Sequence, residues 1–118
     1  MRIMVLEDEP LLAMMLEESL EELGHELTGS AATVSQAFEL LDGAAPPPDF
    51  ALLDFSLGHD ANSLPVARRL RADGIAFAYL TGHASLDLEG DEPVAPILTK
   101  PVSLDQLETA IRLVKLAA

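Results

Sequence analysis

The sequence predicts an α/β domain: a doubly wound, five-stranded parallel sheet flanked by helices. Three observations predict it. Short β-rich runs alternate along the chain with segments of helical periodicity. Two of those runs, "FALL" and "FAYL", are apolar on successive residues, as strands covered on both faces are. The length of 118 residues fits one domain, taken as 1–118, and suffices to bury a core without covalent staples.

The elements follow in order. "RIMVL" (2–6) is a short apolar run that ends in acids, a first strand. "PLLAMMLEESLEELG" (10–24) places Leu12, Leu16, Leu20 and Leu23 at helical spacing, with Pro10 suited to a first turn and Gly24 to a stop. "HELTGSA" (25–31) is a weak second strand. "TVSQAFELLDG" (33–43) opens with Thr33 and Gln36 at capping-box spacing and ends at Gly43. Three prolines make 44–50 a stiff connector that cannot continue a helix. "DFALLDF" (49–55) holds the third strand, "NSLPVARRLRADG" (62–74) a helix, "IAFAYLTG" (75–82) a fourth strand, and "PVAPILTKP" (93–101) a fifth. The last segment, 103–118, opens with Ser103 and Gln106, another capping box, and presents Leu104, Leu107, Ile111 and Val114 on one face. Between the last two strands, "HASLDLEGDEP" (83–93) carries a glycine, a proline and four acids where a fourth helix belongs, so that helix is expected to be short, frayed or absent.

Composition narrows the function classes. A hydrophobic fraction of 49% with 23% charged residues is that of a globular chain, which argues against disorder. There is no cysteine, so disulfides and cysteine–zinc sites are excluded. The N-terminal apolar stretch is too short for a signal peptide, and no run approaches the ~18 apolar residues of a membrane span. A cytoplasmic, membrane-free protein is the expectation. Seven Lys and Arg against 20 Asp and Glu give a net charge of −13, a field that repels nucleic acid and favours basic partners, or that simply keeps the chain soluble.

In an open parallel sheet, functional groups gather beyond the carboxyl ends of the strands. Those ends carry Glu7, Asp8 and Glu9 on the first strand, Asp54 on the third, Thr81 and Gly82 on the fourth, and Lys100 and Pro101 on the fifth. Taken singly, each has an ordinary role: Asp54 as a turn residue, the acidic triplet as helix-dipole compensation, Lys100 as a solvated charge, Thr81–Gly82 as a turn. Taken together, they fall at the strand ends that one active edge would use. Clustered carboxylates repel unless a cation neutralises them, and an all-oxygen site with few protein ligands suits Mg²⁺. An Asp carboxylate can attack phosphorus and form an acyl phosphate. Asp54 is thus the candidate nucleophile, Glu7 and Asp8 metal holders, Lys100 a charge clamp, and Thr81 a hydrogen-bond donor.

"VLEDEP" (5–10), "PDFALLDFSLG" (48–58), "YLTG" (79–82) and "LTKPVSLDQL" (98–107) resemble the receiver domains of two-component response regulators, in the family's order and spacing and over nearly the whole chain. The resemblance implies a flavodoxin-like fold with strand order 2-1-3-4-5. It implies phosphorylation of Asp54 by a sensor histidine kinase or histidine phosphotransfer protein, with Mg²⁺ held by Asp8, Asp54, the acidic Glu7 and the main-chain carbonyl of Ser56. Thr81 and Lys100 would contact the phosphoryl group, and the Lys100–Pro101 bond would be cis. Such a protein signals through an unknown downstream protein, or acts as a phosphate shuttle or sink, and is not an enzyme beyond its own aspartyl phosphorylation and dephosphorylation. "FAYLTGH" (77–83), Ile97 in place of the family's usual aromatic, and the poor fourth helix resemble the FAT GUY group of stand-alone receivers. His83, two residues past Thr81, is a candidate modulator of phosphoryl loss or an exposed loop residue. His25 and His59 lack metal-ligand spacing.

Other readings remain open. Haloacid-dehalogenase-like phosphatases need a second Asp two residues after the nucleophile, where this chain has Ser56. A non-phosphorylated pseudo-receiver would not need the acidic, hydroxyl and ammonium set. Nucleotide binding lacks both GxGxxG and a P-loop.

Overall fold

The computed structural model describes residues 1–43, 46–55, 57, 62–82, 95–100 and 102–117. Five parallel strands, β1 (Arg2–Leu6), β2 (Glu26–Ala31), β3 (Phe50–Asp54), β4 (Ala76–Thr81) and β5 (Ile97–Thr99), form one sheet in the order β2-β1-β3-β4-β5. This is the expected order. Among the described residues there are four helices: α1 (Pro10–Glu22), α2 (Val34–Asp42), α3 (Leu64–Ala72) and α4 (Leu104–Ala117). The segment expected to hold a poor fourth helix, together with His83 and His59, lies outside the described residues.

Strand parity sorts the core into two layers. Met4 and Leu6, Ala51 and Leu53, and Phe77 and Tyr79 join Ala37 of α2 and Val66, Ala67 and Leu70 of α3. Ile3 and Val5, Phe50 and Leu52, and Ala78 and Leu80 join Leu16 and Leu20 of α1 and Leu107 and Ile111 of α4. The alternation is what a pleated strand requires, since successive side chains point to opposite faces. All five residues of β3, the central strand, are buried.

The helix termini follow the sequence closely. Gln36 N–H donates to Thr33 Oγ1 at 3.1 Å, and Gln36 Oε1 accepts from Ala32 N–H at 2.8 Å. Ser103 and Gln106 exchange reciprocal bonds of 3.0 and 3.1 Å. Gly24 and Gly74 adopt φ of 88° and 73° just past α1 and α3, conformations that a side chain would strain.

Two helix faces are shifted from expectation. On α1 the buried residues are Ala13, Leu16 and Leu20, while Leu12 and Leu23 are only half-buried. On α4, Leu107, Ala110 and Ile111 are buried and Leu104 is exposed. In both cases a small alanine is buried and a larger leucine is left at the margin.

Candidate functional site

Sheet register builds the site. In the β1–β3 ladder Leu6 faces Leu53, so the next residues, Glu7 and Asp54, emerge side by side at the carboxyl edge. Glu7 continues the Ile3–Val5 face and Asp54 the Phe50–Leu52 face, which are one and the same layer. The β4–β5 ladder pairs Thr81 with Thr99, and Lys100 N–H then donates to the Thr81 carbonyl at 2.7 Å. That bond fixes the backbone of Lys100 just past the edge, from where its side chain reaches back over the third and first strands.

The result is a tight charge cluster. Lys100 Nζ lies 3.1 Å from Asp54 Oδ2 and 3.0 Å from Glu7 Oε2, and donates to Glu7 Oε1 at 3.3 Å. Asp8 joins from the turn after β1: one carboxylate oxygen from each of Glu7, Asp8 and Asp54 lies within 4.8 Å of the others. Glu7 and Asp54 are buried, at 2% and 4% exposure, so bulk water does little to stabilise a charge on either. Thr81 is buried at the end of β4 beside them.

The Asp54 carboxyl is raised from 3.8 to about 7: burial contributes most, the neighbouring Glu7 adds to it, and Lys100 pulls the other way. Burial also works to lower Lys100, but its bonds to Glu7 and Asp54 outweigh it, and its pKa is raised. One ammonium is therefore too little positive charge for three clustered carboxylates.

A divalent cation fits this arrangement. Glu7 Oε2 is fully buried and, although the Lys100 ammonium is near, receives no hydrogen bond. One carboxylate oxygen from each of Glu7, Asp8 and Asp54, within 4.8 Å of the others, makes a hard all-oxygen donor set of the kind Mg²⁺ takes.

The structure brings together Glu7, Asp8, Asp54, Thr81 and Lys100 at one edge. Ser56, expected to add a carbonyl ligand, and Pro101, expected to follow a cis bond, lie outside the described residues. Sequence reasoning passed over Phe55. Its N–H donates to the Leu80 carbonyl at 2.9 Å and its carbonyl accepts from Ser63 N–H at 3.1 Å, so it ties the end of β3 to β4 and to the start of α3. The signal was available, since Phe55 directly follows the nucleophile candidate.

Comparison with known proteins agrees with the fold. No family model matches the chain. The Phyllosphere-induced regulator PhyR of Methylorubrum extorquens is 34% identical over 104 residues, 84% of this chain and 38% of its own length. The transcriptional regulatory protein PdtaR of Mycobacterium tuberculosis is 32% identical over 119 aligned residues, 95% of this chain and 55% of its own. The chain thus spans well under two thirds of either curated relative. Among solved structures, SdrG of Sphingomonas melonis Fr1 is 36% identical with a TM-score of 0.80, covering 97% of this chain and 95% of that one. The receiver domain of the response regulator PhyR from Erythrobacter litoralis is 28% identical with a TM-score of 0.83, covering 98% and 89%. The anti-anti-sigma factor PhyR of Bartonella quintana is 29% identical with a TM-score of 0.86, covering 98% of this chain and 47% of that one.

Proposed function

This chain belongs to the receiver domains of response regulators, and on that premise we propose that it accepts a phosphoryl group on Asp54 from a phosphohistidine protein. The observation that carries the proposal is the Lys100 ammonium held between Glu7 and Asp54, with Asp8 in reach. A carboxylate oxygen of Asp54 forms the new bond to phosphorus, and the bond from phosphorus to the donor's imidazole nitrogen breaks with its electron pair going to that nitrogen. Lys100 faces the negative charge on the phosphoryl oxygens, and the Thr81 hydroxyl donates to one of them. Glu7, Asp8 and Asp54 would hold Mg²⁺, with Ser56 as a further ligand, and the ion when bound supplies positive charge to the transferring group. Glu7 and Asp54, being buried, keep bulk water from competing for the same positions.

The donor is a histidine kinase or a histidine phosphotransfer protein. The output is a change in affinity for a protein partner, or storage of the phosphoryl group, in the cytoplasm. An output through protein contact is supported by the similarity to an anti-anti-sigma factor. Among the described residues no helix is long and apolar enough to cross a membrane. The chain acts as a phosphoryl acceptor and not as a turnover enzyme.

The test is incubation with acetyl phosphate and Mg²⁺ followed by intact-mass measurement. The wild-type chain gains one phosphoryl group, and Asp54→Ala gains none. Labelling of Asp54→Ala to the wild-type extent would falsify the assignment.

A further inference from the structure

Beside the phosphoryl site lies a buried aromatic row that the chemistry above does not use. The Phe55 and Tyr79 rings meet edge to face, 5.9 Å apart at 80°, and Tyr79 meets Phe77 in the same way at 5.5 Å and 77°. Tyr79 is fully buried. Phe55 adjoins Asp54 in the chain, and both of its backbone polar groups are tied down, to Leu80 and Ser63. At the other end, Tyr79 N–H donates to the Pro96 carbonyl at 2.9 Å, Tyr79 pairs with Ile97, and Ala95 packs against the same cluster. The row therefore runs from the residue after Asp54 to the start of β5, the strand that delivers Lys100 and carries the exposed Ile97.

We propose that Phe55 is a positioning residue: its ring, wedged against Tyr79, couples the placement of the Asp54 carboxylate to β4 and the start of β5, so that filling the Asp54 site shifts Tyr79. The inference rests on the phosphoryl reading given above and extends it to how that event is passed on. A phosphoryl group adds bulk and charge to a carboxylate only 4% exposed, so the turn at Phe55 must adjust. The Phe55 ring lies in the layer opposite the Asp54 carboxylate, so a shift at the end of β3 turns that ring, and the large side chain it meets is Tyr79. Ile97, paired with Tyr79 in the β4–β5 ladder, is exposed at the far end and becomes the surface that changes.

The chain has one tyrosine and no tryptophan, so its intrinsic emission and near-ultraviolet dichroism report on Tyr79 directly. The experiment follows that signal alongside intact mass during incubation with acetyl phosphate and Mg²⁺. The tyrosine signal of the wild-type chain is expected to change in step with the gain in mass. Phe55→Leu, which keeps an apolar side chain but removes the ring contact, is expected to gain the phosphoryl group with less than half the wild-type signal change. Phe77→Leu, on the opposite side of Tyr79, is expected to keep the full change. Should Phe55→Leu not fold, Phe55→Met carries the same comparison. A phosphorylated wild-type chain with a static tyrosine signal overturns this inference alone, as does a full change in Phe55→Leu or an equal loss in Phe77→Leu. A wild-type chain that gains no phosphoryl group overturns both this inference and the phosphoryl reading.

Discussion

Among the described residues two clusters share one formal composition, one cation between two carboxylates, in opposite surroundings. Arg69 of α3 donates to Asp42 at 2.7 Å and to Asp73 at 2.8 Å, joining the end of α2 to the end of α3. Lys100 bridges Glu7 and Asp54 at 3.0 and 3.1 Å. By distance the Arg69 cluster is the tighter. Its carboxylates are nevertheless exposed, at 62% and 39%, so water and salt already stabilise each charge on its own. At the other cluster the Glu7 and Asp54 side chains are 0% and 6% exposed, and a third carboxylate, Asp8, stands close by. There the charges depend on one another, since burial raises the cost of each unpaired one. The same three-charge pattern is a surface tie in one place and an unbalanced, cation-seeking site in the other.

The strongest way to break the comparison is to delete each cation in turn. Lys100→Met leaves two buried carboxylates without their ammonium. A loss of about 3 kcal/mol in unfolding free energy is expected in chelator-treated protein, the lower end for breaking a buried pair because part of Lys100 reaches solvent. Chemical denaturation measures it, and a loss too small to detect would put the two clusters on an equal footing.

Next in size is the pH dependence of Asp54→Asn. Folding raises the Asp54 carboxyl from 3.8 to about 7, so the folded state binds the proton more tightly than the unfolded one. For a group raised in this sense, the contribution of Asp54 to stability is fullest below pH 3.8 and is lost as pH climbs through about 7. Asn carries no such charge. The melting temperature of Asp54→Asn relative to wild type should therefore rise between pH 5 and pH 8 in metal-free buffer, by a few degrees. A difference that stays constant across that range would contradict the account of Asp54. Arg69 contributes nothing in this window, because its raised pKa leaves it cationic throughout.

Adding Mg²⁺ sharpens the contrast further. At tenfold excess over its dissociation constant, an ion bound only by the folded state adds about 1.4 kcal/mol. Differential scanning calorimetry with and without chelator should show this for the wild type and not for Asp54→Ala. The smallest effect is expected of Arg69→Ala, whose melting temperature should stay within the scatter of wild type at physiological salt and fall slightly only at low ionic strength.

Much of this site was legible from residue order alone, for a reason visible in particular residues. Glu7, Asp54, Thr81 and Lys100 each stand at or just past the end of an apolar run, and in a parallel sheet all such ends share one edge. What could not be read was which neighbour each would touch. Nothing in the spacing says that Lys100 reaches Glu7, 93 residues away, as well as Asp54, or that Oε2 of Glu7 would be left without a hydrogen bond. The displaced faces of α1 and α4 have the same origin: periodicity marks a helix as amphipathic, but only the folded structure buries Ala13 and Ala110 in preference to Leu12 and Leu104. Phe55 was legible as an apolar residue and not as a contact, since its partner Tyr79 lies on another strand.

By itself, the sequence determined the alternation of strands and helices, the capped starts of α2 and α4, the glycine stops after α1 and α3, and the set of chemical groups available at the strand ends. These are local properties, fixed by side-chain shape, backbone freedom and the two periodicities of regular structure. Only the tertiary structure decided that one lysine would serve two buried carboxylates, that Asp54 would be lifted to about 7, and that an aromatic row would run from Phe55 toward β5. Those depend on distance and on exclusion of water, and both are set by the register of the strands and by the layers packed over them.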